Sequence, residues 1–275
     1  MTMRFGSAGN PRSAPRAGTD HGILRAHALG LQCLEMAWGN GVRMGEAAIA
    51  RVAAAGRDTG LELTAHAPYY LNLSGEPEVV RASEERLVAA ARQAWWCGGR
   101  SVCFHAGYYG TLGPARASRR IVSALKRITK RLRSEGITLD LRPELTGRSS
   151  QAGTLEEIVQ WSADIEGVKP CIDFAHQYAR SGGAINRYED FRAMLDLVRD
   201  RLGATSLASM HVHLSGIEYR AHGETRHRPL TQSKFRWREV LRALRDAGAA
   251  GWVIGESPEI EDDALRLQRA YRRLA

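Results

Sequence analysis

The sequence predicts an α/β protein of a single domain, a (β/α)8 TIM barrel that spans residues 1–275. Short apolar runs alternate strictly with longer segments of helical period, which is typical of a parallel sheet covered by helices. There are eight such repeats, and the length of 275 residues is close to the roughly 250 residues of a typical eightfold barrel. An open, doubly wound sheet is the alternative. No GxGxxG segment follows the first strand, which disfavours a dinucleotide-binding version of that sheet.

The predicted elements follow in order along the chain. Each strand is a short run rich in apolar residues, such as LQCLEMA, and the eight runs fall at 3–7, 31–37, 60–66, 100–105, 137–143, 168–173, 207–214 and 251–256. Each helix repeats apolar residues with a period of 3.6, and the eight segments fall at about 18–29, 43–58, 77–96, 114–135, 154–165, 187–202, 233–248 and 260–273. The longest stretch without a pattern is 215–232, and a long loop in a compact domain is usually functional or disordered.

Composition narrows the class of protein. The net charge of +9 comes almost entirely from arginine, and it indicates either a polyanionic partner or a GC-rich coding sequence. The four cysteines form no CxxC pair, so we expect them to be small core residues in a reducing compartment. No signal-like start and no apolar stretch of membrane-spanning length occur, which predicts a cytoplasmic protein without a membrane partner.

Acids and histidines collect where the predicted strands end. In a TIM barrel the carboxyl ends of the strands form the active-site face, so these side chains should meet at one rim. A single histidine at a strand end is usually a hydrogen-bonded structural residue, but neighbouring carboxylates repel one another unless cations lie between them. The strand-end residues are His66, His105, Glu144, Asp173, His213 and Glu256, with His176, Glu224 and His227 just beyond the sixth and seventh strands.

This set of side chains predicts a metal centre. Mixed imidazole and carboxylate ligands suit Zn²⁺ or Mn²⁺. A catalytic zinc typically takes three protein ligands, so nine candidates indicate two or three ions. Clustered ions of this kind serve the hydrolysis of phosphoesters, in which they clamp the attacking and the leaving oxygen.

Seven segments in family order resemble endonuclease IV, the TIM-barrel AP endonuclease family of the xylose isomerase-like superfamily. The segments span residues 66 to 258 and are HAPYYLNL (66–73), FHAGYYG (104–110), PELTG (143–147), CIDFAHQYARSG (171–182), MHVHLSGIEY (210–219), RHRPL (226–230) and GESP (255–258). The HAPY and CID-x-x-H segments are the most specific of them. The resemblance implies metal-assisted hydrolysis of the phosphodiester 5′ to an abasic site in double-stranded DNA.

The resemblance also implies three zinc sites, with Mn²⁺ or Fe²⁺ as alternatives. The first would be held by His66, His105 and Glu144, and the second by Glu144 as a bridge with Asp173, His213 and Glu256. Glu144 and Glu256 would be the catalytic carboxylates, the first joining two ions and the second orienting the nucleophile. The third site would be held by His176, His227 and an aspartate two residues before His227.

The chain departs from that pattern at the third site, where the expected aspartate is Thr225. Glu224 is one residue earlier but one methylene longer, so we expect it to complete the site, ahead of His222. Two other polar residues lie in strands. We expect His211 to support the site from the barrel interior, whereas Glu35 either contacts a ligand histidine or forms an outward salt bridge.

Residues expected to contact DNA lie in loops on the same face. Tyr69 matches a family residue that resembles a wedge in unstacked DNA, and packing against Pro68 is its structural alternative. Cations in these loops are where a phosphate backbone would run. The DNA-binding candidates are Arg148, Arg180, Arg220, Arg226 and Arg228.

The predicted function is therefore that of a DNA repair endonuclease acting as a monomer. A sugar isomerase or epimerase on the same barrel is one alternative, since Glu144, Asp173, His213 and Glu256 alone would serve it. A DNA-damage-binding relative without catalysis is another, because of the departure at Thr225.

Overall fold

The computed structural model describes residues 2–274 and confirms a barrel of eight parallel strands. The strands are β1 (Met3–Ala8), β2 (Cys33–Ala37), β3 (Glu62–His66), β4 (Ser101–Phe104), β5 (Asp140–Pro143), β6 (Cys171–Asp173), β7 (Met210–Leu214) and β8 (Gly251–Gly255). Each strand pairs in parallel with its neighbours, and β1 lies between β2 and β8. Parallel bridges from Leu141 to Val168 and from Glu144 to Cys171 join β5 to β6 and close the ring.

Helices connect the strands and cover the outside of the barrel. They are α1 (Thr19–Ala28), α2 (Glu46–Thr59), α3 (Pro77–Trp96), α4 (Gly113–Ser134), α5 (Leu155–Asp164), α6 (Phe174–Arg180), α7 (Tyr188–Leu202), α8 (Trp237–Asp246) and α9 (Glu261–Arg272). Local sequence signals fix several helix starts. Pro77 begins α3, and Thr154 with Glu157 forms a capping box at the start of α5. No helix within residues 2–274 is both long enough and apolar enough to cross a membrane.

The main hydrophobic core lies between the strands and the helices. In β7, Met210, Val212 and Leu214 belong to this core, whereas His211 and His213 alternate with them and are also fully buried. Because side chains alternate along a strand, the two histidines point into the barrel. The barrel interior therefore contains polar side chains below the rim, whereas the interior of most such barrels is filled by branched apolar residues.

Two ribbons and one helix depart from the sequence prediction. Segment 215–232, expected to have no regular structure, contains an antiparallel ribbon of Gly216–Arg220 with Gly223–Arg228. A second short ribbon pairs Gly107–Tyr108 with Gln151–Ala152. These strands are polar and lie over the rim, so they carry no apolar pattern. The extra helix, α6, begins directly after β6, and the Asp173 carboxylate accepts a hydrogen bond from the His176 backbone N–H at its start.

Candidate metal centre

Glu144 lies at the middle of the candidate site, just beyond the end of β5, and is fully buried. Its Oε2 atom is 3.0 Å from Nε2 of His66 and 3.1 Å from Nε2 of His105. The Nδ1 atom of His66 lies 2.7 Å from the carbonyl oxygen of Ala67. A proton on Nδ1 would be donated to that carbonyl, which leaves Nε2 free as a ligand. Glu144, His66 and His105 thus form the first donor set.

The other oxygen of Glu144 faces a second group of side chains. Oε1 is 3.3 Å from Nδ1 of His213, and this nitrogen is also 3.3 Å from Oε2 of Glu256. Asp173 completes the group at the end of β6 and is fully buried. Its Oδ2 atom makes no hydrogen bond within residues 2–274, although Nδ1 of His176 lies 3.3 Å away and points its own bond to the Leu145 carbonyl oxygen. A buried carboxylate oxygen without a partner is costly, and a cation would satisfy it.

A third donor set joins α6 to the ribbon that follows β7. The Nε2 atoms of His176 and His227 are 3.3 Å apart. Glu224 places Oε2 3.3 Å from Nε2 of His176 and Oε1 3.7 Å from Nε2 of His227. Each histidine has its Nδ1 atom near a backbone carbonyl, at 2.9 Å from Leu145 for His176 and 3.0 Å from Glu256 for His227. Both Nε2 atoms therefore face the same point.

A β-bulge explains why Glu224, and not Thr225, reaches this set. In the ribbon Glu218 pairs with Arg226 and Tyr219 pairs with Glu224, so Thr225 is the extra residue of the bulge. One extra residue shifts the alternation of side chains, so Glu224 and His227 share a face although they are three apart. The Thr225 hydroxyl instead donates to the carbonyl oxygen of Glu218. The expected contact of Glu224 with both histidines is present.

The charges of the site favour a set of cations between the carboxylates. Burial raises the pKa of Asp173 to about 7, and the carboxylates of Glu256 and Glu144 add to that rise. Burial would also raise the pKa of Glu144, but the charges of His105 and His213 outweigh it and hold this pKa well below its usual value. Without metal the imidazoles must supply the positive charge. A divalent ion would supply it instead and leave the histidines neutral, as ligands must be.

Glu35 and His211 support the site from below. Glu35 is fully buried, with Oε2 2.9 Å from Nε2 of His211 and Oε1 3.2 Å from Nε2 of His213. Thr64 donates a hydrogen bond to the same carboxylate, and Ser101 contacts Nδ1 of His211 at 3.2 Å. Glu35 therefore points into the barrel and holds the His213 ring so that Nδ1 faces Glu144. The interior position expected for His211 is confirmed, and the outward salt bridge of Glu35 is not formed.

The three donor sets open into a cavity of about 470 Å³ on the rim. Tyr69 lies at its edge with 54% of its surface exposed, and its ring centroid is 5.1 Å from that of His66. Tyr108 and Gln151 also line it, although sequence analysis did not select them. They belong to the two-residue ribbon strands, which are too short to give a pattern. The sequence offered one indication that they line the site, which is that both lie in segments that follow barrel strands.

The five arginines expected to bind DNA differ in their surroundings. Arg148 and Arg220 are exposed, and no ion pair is formed by either within residues 2–274. Arg226 and Arg228 both pair with Glu218, at 3.0 and 3.1 Å. Arg180 is half-buried, and its Nη1 atom donates to oxygens of three loop residues, which are Thr146, Arg148 and Gln151. Its Nη2 atom also donates to the Tyr109 hydroxyl, so Arg180 ties the loops after β4 and β5 together. The Nε atom of Arg148 donates to the carbonyl oxygen of Glu224 at 3.2 Å, which leaves the two Nη groups of this exposed side chain for a ligand.

Comparison with known proteins places the chain among barrels of this design. A model of the xylose isomerase-like TIM barrel family matches residues 23–274. An uncharacterized protein of Methanocaldococcus jannaschii is 40% identical over 275 residues, which cover 100% of this chain and 98% of that protein.

Solved structures share the fold. Endonuclease IV of Thermus thermophilus superposes with a TM-score of 0.75 and 24% identity, covering 99% of this chain and 100% of that one. A D-tagatose 3-epimerase-like protein superposes with a TM-score of 0.73 and 18% identity, covering 99% and 98%. These two likenesses show that the chain shares the barrel fold.

Proposed function

This chain belongs to the xylose isomerase-like TIM barrel family, and we propose that it is a metal-dependent DNA repair endonuclease that hydrolyses the phosphodiester 5′ to abasic sites. The third donor set is the observation that carries this proposal. An epimerase on this barrel would need only Glu144, Asp173, His213 and Glu256. It would have no use for a third group of imidazole and carboxylate donors beside them. Cleavage of a phosphodiester uses clustered ions, which clamp the attacking and the leaving oxygen.

The residues fit a cluster of two or three divalent ions, Zn²⁺ above all, with Mn²⁺ or Fe²⁺ as alternatives. The fit rests on Oδ2 of Asp173, which makes no hydrogen bond within residues 2–274, and on the Nε2 atoms of His66, His105 and His176. Each of these nitrogens lies 3.3 Å or less from a carboxylate oxygen. Such ions, when bound, stabilise negative charge on a phosphate and make water more acidic. Glu144 would join the first two donor sets through its two oxygens.

Glu256 orients the attacking water in this proposal. Its side chain is 10% exposed, so it is the most open of the carboxylates in the first two sets. In the metal-free protein burial would raise its pKa, but His213 outweighs burial and lowers the pKa to about 2. Bound cations would take over the role of the charged imidazole and keep the carboxylate ionised at neutral pH. An ionised Glu256 at the open side of the set would accept a hydrogen bond from water and position it.

The rim supplies contacts for damaged DNA. The cavity of about 470 Å³ lies within the usual range of ligand sites, about 300–1,000 Å³, and suits a sugar phosphate turned out of the duplex. Tyr69, exposed beside His66, would fill the gap that the missing base leaves. Arg148 and Arg220 would contact phosphates on either side. We propose further that the enzyme acts as a monomer in the cytoplasm.

Incision of a duplex with one abasic site tests the proposal. The metal-loaded enzyme should cut the strand 5′ to the lesion, leave the intact duplex uncut, lose activity in EDTA and regain it with Zn²⁺. Glu256→Gln should cut far more slowly, and Glu259→Gln, a nearby exposed carboxylate that pairs with Arg12, should cut normally. Conversion of a ketose with no action on DNA would establish the epimerase alternative. Tight binding of abasic DNA without cleavage would establish the binding-protein alternative.

A further inference from the structure

Two buried thiols lie directly beneath the candidate metal centre. Cys103 is two residues before His105 on the β4 segment, and Cys171 is two residues before Asp173 on β6. Both side chains are fully buried. Residues two apart on a strand point the same way, so both thiols face the barrel interior below the donors at the rim. The expectation that these cysteines are core residues is confirmed, but their surroundings are polar.

Cys103 is in contact with the first donor set. Its Sγ atom lies 3.4 Å from Oε2 of Glu144, the same oxygen that His66 and His105 approach at 3.0 and 3.1 Å. The donor atoms of His66, Cys103 and Glu144 all lie within 4.8 Å of one another. Three different elements thus direct an imidazole, a thiol and a carboxylate to one point.

The three distances from the Glu144 oxygen are compatible with neighbouring ligands of one tetrahedral ion. Zinc bonds of about 2.0 Å to nitrogen or oxygen and about 2.3 Å to sulfur separate neighbouring ligands by about 3.3 Å, or by about 3.5 Å when one is sulfur. The Glu144 oxygen lies 3.0 and 3.1 Å from the imidazole nitrogens and 3.4 Å from the sulfur. The distance to the sulfur is therefore longer than the distances to the nitrogens, as expected from the longer bond between zinc and sulfur.

We propose that Cys103 is a thiolate ligand of the first metal ion, together with His66, His105 and Glu144. On binding, the thiol releases its proton to solvent, and the bond to the metal replaces the hydrogen bond from Sγ to Glu144. The first ion then has four protein ligands, one of them soft. Thiolate selects Zn²⁺ or Fe²⁺ and disfavours Mg²⁺ and Mn²⁺, so Cys103 determines which metals the first position accepts.

Cys171 offers a matched comparison within the same structure. It is equally buried, and its donor atom groups with those of Cys103 and His213. The Nδ1 atom of His213 already faces Glu144 and Glu256. Cys171 thus groups with His213 of the second donor set, and in this proposal it is not a ligand of the first ion.

Absorption spectroscopy of the cobalt-substituted full-length protein tests this inference. Sulfur bound to Co²⁺ gives an intense charge-transfer band in the near ultraviolet, while elemental analysis reports the bound cobalt. Wild type should show the band, Cys103→Ser should lose it, and Cys97→Ala and Cys171→Ala should keep it. Zn²⁺ affinity of Cys103→Ser should fall at least about tenfold, since even partners outside the ligand set have that effect.

A second variant guards against misfolding of Cys103→Ser. The triple change Cys33→Ala, Cys97→Ala and Cys171→Ala leaves Cys103 as the one remaining thiol of four. Its cobalt form should still show the band. Absence of the band in this variant or in wild type, or its survival in Cys103→Ser, would overturn the proposal.

The inference rests on the metal centre of the proposed function but not on the reaction. A protein with the charge-transfer band and no action on abasic DNA would keep Cys103 as a ligand and reject the endonuclease. A protein that cuts abasic DNA and lacks the band would support the endonuclease and reject Cys103 as a ligand.

Discussion

Replacing Glu224 with glutamine should remove the third metal ion and leave the other two in place. The Glu224 carboxylate faces the Nε2 atoms of both histidines of the third donor set, at 3.3 Å from His176 and 3.7 Å from His227. Glutamine keeps the shape and one carbonyl oxygen but removes the negative charge. A neutral set of two imidazoles and an amide attracts a divalent ion much less strongly.

The size of the effect follows from the position of the donors. Glu224 and His227 are 15% and 25% exposed, whereas Glu144 is 1% exposed, so the third ion should already be held more weakly than the first two. Changes outside the ligand set alter metal affinity about 10- to 100-fold, so loss of a charged ligand should cost at least about 100-fold, or about 2.8 kcal/mol. Moderate chelation should remove this ion first.

Elemental analysis after graded chelation measures the stoichiometry directly. Glu224→Gln should contain about one metal fewer than wild type. Glu218→Gln, an exposed carboxylate of the same ribbon that pairs with arginines, should contain the normal number. Adding Thr225→Asp to Glu224→Gln should not restore the ion, because the bulge turns position 225 away from His227. Unchanged metal content and affinity in Glu224→Gln, or full rescue by Thr225→Asp, would refute this arrangement of the third site.

Three other outcomes follow from the structure. Glu144→Gln should lower metal content by up to two ions and incision by several orders of magnitude with little loss of DNA binding; near-normal turnover would exclude Glu144 as a bridge. Arg148→Ala and Arg220→Ala should each reduce the salt dependence of binding to abasic DNA by about 0.9 in the slope of log affinity against log salt, and an unchanged slope would exclude the contact. Metal-free protein should melt at lower temperature as pH rises from about 5 to 9, because Asp173 and the site histidines together outweigh Cys171, whose pKa of about 6 acts in the opposite direction. Burial raises the pKa of Asp173 to about 7, which removes stability between about pH 4 and 7. Burial lowers the pKa of His66, but Glu144 outweighs it and raises this pKa to about 9, so the stability that His66 adds below about pH 6.5 is lost as pH passes 9. Thermal unfolding in EDTA across this range checks the trend, and a rising melting temperature would contradict it.

Much of the site follows from the strand ends alone. His66 and Asp173 end their strands and His213 is the next-to-last residue of β7, and a closed parallel barrel leaves only one rim on which those ends can meet. The periodic pattern fixes which residues face inward, so the interior position of His211 was also accessible from sequence. The fold class could be predicted for the same reason, since eight apolar runs separated by amphipathic helices permit few other arrangements.

Other features depended on contacts between residues far apart in the chain. The choice between Thr225 and Glu224 follows from a bulge in a polar ribbon, which has no apolar period to reveal its register. Glu35 could face either way until β2 was placed beside β3 and opposite β7, where Thr64, His211 and His213 surround its carboxylate. From the sequence, Arg180 was expected to contact DNA phosphates, but in the structure its guanidinium donates to oxygens of the rim loops. Sequence periodicity determines which face of an element is buried, but only the closed barrel determines which donors lie within about 3 Å of one another, because the partners come from strands that share no sequence neighbourhood.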